Sequence, residues 1–136
     1  MIRGLALTGI LAGALFVAAA PALGKGNPQA ASSITLNQGS AFSASIPHLG
    51  SWVTFTTVYP GNVKTPRVEV VCSQNGALVY GEAGSTGDAF LLGGGGSLWL
   101  NAGGSASCVA NLYYFTWNGG QPGTVYLAST SFNAAG

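Results

Sequence analysis

A chain of 136 residues is long enough for one domain with a modest core, yet 5% of its residues are charged, against about 25% in ordinary soluble proteins. Beyond residue 24 the charges are Lys25, Lys64 and Arg67 against Glu69, Glu82 and Asp88, and they cancel. A neutral surface excludes nucleic-acid binding by phosphate neutralisation, the source of most such affinity, gives an anionic membrane nothing to attract, and favours self-association.

The first element is N-terminal. Arg3 supplies a positive start, Leu5 to Ala20 is an uncharged apolar run, and Ala20-Pro21-Ala22 offers the small residues that signal peptidase needs. Residues 1–24 therefore read as a secretory signal peptide, an apolar helix removed on export. The run is shorter than the roughly 20 residues of a membrane span and contains Gly9 and Gly13, so no stable membrane anchor is expected after cleavage. The expected location is extracellular or at the cell surface. Residues 25–32 read as a flexible linker, and 33–136 as a single domain.

That domain reads as all-β. Short segments rich in Val, Thr, Tyr, Phe and Trp alternate with Gly, Pro, Asn and Ser, the pattern of strands and turns. Strands are predicted over 33–37, 41–46, 51–59, 67–73, 77–82, 88–92, 97–101, 106–116 and 124–132. Turns fall at "NQGS", "PHLG", "YPGN", "SQNG", "GSTG", "GGGG", "NAGG" and "WNGGQPG". Such close spacing predicts an antiparallel β-sandwich rather than a parallel sheet with helices.

Cys72 and Cys108 lie within two of these strands, "RVEVVCSQ" and "SASCVANLYYF". In an exported chain two thiols form a disulfide, which would stabilise the fold by about 3–4 kcal/mol on the chain-entropy model. A buried bridge sets the parity of both strands, because alternate side chains share a face. Val68, Val70 and Cys72 then point inward with Glu69 outward, and Cys108, Ala110, Leu112 and Tyr114 point inward. Such a bridge between inward-facing strands resembles that of an immunoglobulin-like β-sandwich. The resemblance implies a disulfide joining the two facing sheets, with Cα atoms about 5.5–6 Å apart. The chain departs from that pattern in two places: Trp99 lies far downstream of Cys72, and Ala106 stands where the family has a Tyr two residues before its second Cys. The chain is also similar to small secreted bacterial proteins of this composition, a likeness that implies no activity.

The run Gly93–Gly96 in "LLGGGGSLWL" lacks the following Lys and helix that a phosphate loop requires. It is expected to turn "AFLL" back as "SLWLN" in a hairpin. No catalytic constellation is legible. His48 is the one histidine and sits in a turn; no GxSxG is present, and a Ser nucleophile needs a base and an orienting group. Glu82 and Asp88 flank "AGSTG" as ordinary solvated groups rather than a glycosidase pair. The acids are too few and scattered for calcium. No enzyme, metal or cofactor is expected. What remains is aromatic. The parity that buries Cys108 sends Tyr113, Phe115 and Trp117 to the opposite face of their strand, unless a bulge returns some of them to the core, and Trp52 joins them as a candidate contact. Exposed aromatic stripes mark interaction sites. The sequence thus predicts a non-enzymatic structural or interaction module that binds a protein partner or itself. The second class is a carbohydrate-binding module using exposed Trp and Tyr.

Overall fold

The computed structural model describes residues 31–37, 46–100 and 103–136. The expected signal peptide over 1–24, the linker apart from residues 31 and 32, and the expected strand over 41–46 apart from Ile46 lie outside the described residues. Among the described residues the fold is strands and turns without a helix. The strands are β1 (Ser33–Asn37), β2 (Trp52–Val58), β3 (Arg67–Gln74), β4 (Ala77–Ser85), β5 (Phe90–Leu91), β6 (Ala106–Asn118) and β7 (Gln121–Ala134). They form two antiparallel sheets, ordered β1-β2-β5 and β4-β3-β6-β7. Two tight hairpins build the larger sheet. Asn75-Gly76 joins β3 to β4 with φ of 50° and 80°, and Gly119-Gly120 joins β6 to β7 with φ of 59° and 83°. Positive φ at both central positions suits the right-handed twist of the flanking strands, and Asn and Gly adopt it at least cost.

One core draws on both sheets. Ile34, Val53, Phe55 and Phe90 come from the smaller sheet, and Val68, Val70, Cys72, Cys108, Ala110 and Leu112 from the larger. The alternation read from the sequence holds along β3 and the first half of β6. Each large aliphatic side chain so buried contributes about 1.5–3 kcal/mol.

The cysteines are bridged as expected, but not between sheets. Cys72 and Cys108 are direct partners on neighbouring strands β3 and β6 of one sheet, with Cα atoms 4.1 Å apart. Inward parity was common to both placements. Strand adjacency decides between them, and two strands that face inward can be neighbours as readily as opposites. The bridge extends a row across the sheet, from Tyr80 on β4 through the two cysteines to Phe132 on β7.

Of the strand expected over 97–101, the described residues 97–100 form none, and they make no hairpin with 88–92. The strand over 88–92 shrinks to β5, and 97–100 runs across the end of β3 and β4 instead. The cause is a bulge. Between Cys72 and Ser73 the β3–β4 register shifts, so that Cys72 faces Tyr80 and Ser73 faces Leu78. Val79 is left without a partner, and its carbonyl accepts from Leu98 N and from Ser97 Oγ, each at 2.8 Å. The buried Gln74 amide completes the attachment, donating to Leu100 O at 3.0 Å and Gly104 O at 2.9 Å. This path seats Trp99 in the core.

Candidate functional site

β6 and β7 outrun the rest of their sheet. The β3 pairing with β6 ends where Arg67 meets Tyr113, while β6 and β7 stay paired to Asn118 and Gln121. Residues 114–118 and 121–125 thus make a two-stranded arm of about 17 Å at ~3.4 Å per residue. Phe115 is 55% exposed and Trp117 73%, as the alternation predicts; Tyr113 is 7% exposed and corrects it. Tyr113 does not join the main core. It is covered on its own face: the Phe115 ring packs against it edge-on at 5.4 Å between centroids, and Tyr126 lies at 5.9 Å. A register shift between Leu112 and Tyr113 brings Tyr126 directly opposite Tyr113. Tyr114, expected in the core, is half-buried, because β3 ends before it. Tyr126 is 63% exposed and was missed by sequence reasoning, which had no register with which to place β7 against β6. The face of the arm is therefore Tyr126, Phe115 and Trp117 around a buried Tyr113.

Trp52 is 68% exposed, but it stands elsewhere. It lines a cleft of about 380 Å³ with Tyr80, Glu82, Leu91, Gly94 and Gly95. Tyr80 sits beside the cysteine row, and Trp117 lies nine residues beyond Cys108 along β6, roughly 30 Å at ~3.4 Å per residue. Trp52 and Trp117 therefore do not form one platform, and Trp99, 5% exposed, belongs to the core. In the cleft Tyr80 Oη donates to Glu82 Oε2 at 2.6 Å. Burial, and secondarily the hydrogen bond and charge of Glu82, raise the Tyr80 hydroxyl pKa well above the usual tyrosine value.

The other titratable groups do not converge on this cleft. Of His48, Glu82 and Asp88, Glu82 alone lines it. Asp88 Oδ2 accepts from Ser85 N at 2.7 Å within its own turn. The His48 ring contacts Leu49 O beside the bridge to Ala135. No family model, no curated protein and no solved structure matches this chain.

Proposed function

We propose that this protein is a secreted, non-enzymatic interaction module on a β-sandwich scaffold, and that the β6–β7 arm makes its contact with a partner. The observation that carries the reading is the exposure of Phe115, Trp117 and Tyr126, with Phe115 and Trp117 on a ribbon that runs past the end of β3. Leaving large aromatic side chains in water forgoes about 1.5–3 kcal/mol each, and exposed apolar patches of this kind mark protein contacts. Two packed sheets with a shared core support the sandwich scaffold; the bridge within one sheet sets it apart from the immunoglobulin arrangement. The near absence of net charge favours another copy of the chain, or another exported protein of low charge, as the partner.

Sedimentation velocity over a range of concentrations tests this with the Phe115→Ser/Trp117→Ser double variant. The expected result is that self-association of the parent protein weakens in the variant while the melting temperature stays put. The same pair of proteins, carrying a photo-crosslinker at Thr124 opposite Phe115, reads out a heterologous exported partner. A parent that stays monomeric and crosslinks to nothing, or a variant that associates as well as the parent, rejects the arm as the contact.

A further inference from the structure

The four glycines do more than reverse the chain. At Gly93 a Cβ would run into the Leu49 side chain, and at Gly94 it would lie 3.1 Å from Leu91 O, so close packing accounts for the first two. At Gly95 and Gly96 a Cβ would meet nothing within 4 Å. Both hold positive φ, 61° and 84°, and Gly95 lines the cleft beside Trp52 and Glu82. Bare backbone that opens onto a cleft permits close approach of a ligand.

The cleft combines three features. The Trp52 indole offers a wide apolar face. Glu82 offers an exposed carboxylate whose Oε2 accepts from Tyr80 Oη. The glycine run offers open backbone at Gly95, where a Cβ would meet nothing within 4 Å, while the Gly94 peptide groups are taken up by Leu91 O and Ser97 N. An apolar wall flanked by acceptors and main-chain groups matches a molecule with an apolar ring face and a rim of hydroxyls. The volume, about 380 Å³, falls within the roughly 300–1,000 Å³ of small-molecule sites. A quaternary cation would call for aromatic faces on several sides, and this cleft presents one exposed indole.

We propose that this cleft binds a neutral oligosaccharide, with one sugar ring stacked on Trp52 and its hydroxyls bonded to Glu82 and to the peptide backbone at Gly95. The site is separate from the arm: Tyr80 and Glu82 lie on β4, in the rows of Cys72–Cys108 and Val70–Ala110.

Calorimetric titration of the purified full chain with cellopentaose, the N-acetylglucosamine pentamer and maltopentaose tests this, with tetramethylammonium chloride as the cationic contrast. At least one neutral oligosaccharide is expected to bind saturably. Trp52→Ala should raise its Kd by about tenfold or more, and Glu82→Gln by a smaller factor. Phe115→Ser/Trp117→Ser should leave that Kd unchanged, which separates this site from the arm. Trp52 and Glu82 are both exposed, so an unchanged melting temperature in their variants confirms that binding rather than folding was altered. The proposal is overturned if none of the three saccharides binds, if Trp52→Ala leaves the Kd as it was, or if tetramethylammonium binds and the sugars do not.

Discussion

β6 and β7 lie side by side from end to end, but their two halves live in different surroundings. From Ser107 to Tyr113, β6 has β3 on its other flank, carries the disulfide, and turns Cys108, Ala110 and Leu112 into the core. Past Tyr113, among the described residues, β3 no longer flanks β6, and the same alternation leaves Phe115 and Trp117 exposed. Side-chain periodicity states which residues share a face. Whether that face becomes core depends on what stands opposite it, which periodicity does not state.

Breaking the bridge should have the largest effect on this contrast. Cys108→Ala is expected to cost about 2–5 kcal/mol, measured by urea denaturation without reductant, and reduction of the parent protein should reproduce the loss. Next come the two sides of the boundary. Leu112→Ala should cost about 2–5 kcal/mol and Tyr113→Ser about 3 kcal/mol, whereas Phe115→Ser or Trp117→Ser alone should stay within about 0.5 kcal/mol. An arm variant as damaging as Leu112→Ala would make the arm part of the core and erase the contrast. A smaller effect belongs to the turn. Gly120 has φ of 83°, and Gly120→Ala should add about 1–2 kcal/mol of strain. Hydrogen exchange should speed up at the amides of 114–118 and not at those of 106–112. The smallest effect is one of pH. Folded Tyr80 holds its proton more tightly than the unfolded chain does. The unfolded state therefore binds fewer protons above the ordinary tyrosine value of about 10, so the stability this group confers is intact below that pH and declines as pH rises through it. Tyr80→Phe should flatten the decline in an alkaline denaturation series.

Much of the larger sheet was legible because its residues obey short-range rules. Asn75-Gly76 announced a hairpin, "RVEVVCSQ" alternated cleanly, and the bridge paired the residues expected. The β6–β7 turn was read as a longer loop, although the strands zip up to Asn118 and Gln121. What escaped depended on long-range register. Both bulges shift pairing by one residue without any mark in composition. One orphans Val79 and draws Ser97 and Leu98 across the sheet end, so an apolar segment that alternates like a strand forms none. The other sets Tyr126 over Tyr113 and buries a side chain that parity had exposed. The Trp52 cleft was unreadable for the same reason, since β2, β4 and the glycine run meet there from distant parts of the chain. The exposure of Trp52 agrees with its reading from the sequence as a surface residue, but its neighbours Tyr80 and Glu82 in the cleft were not foreseen.

The placement of the cysteines also has a consequence for how the chain finds its register. Cys72 and Cys108 are 36 positions apart and directly opposed. If β6 slipped one residue against β3, one sulfur would point into the core and the other out of it. A slip of two would keep both on the same face but part their Cα atoms by about 7–8 Å, beyond the reach of a disulfide. Oxidation can therefore trap the native alignment and no neighbouring one. β6 carries no charged residue that could pair with Arg67 or Glu69 of β3, so no ion pair sets their register, and the disulfide holds the correct alignment once it forms.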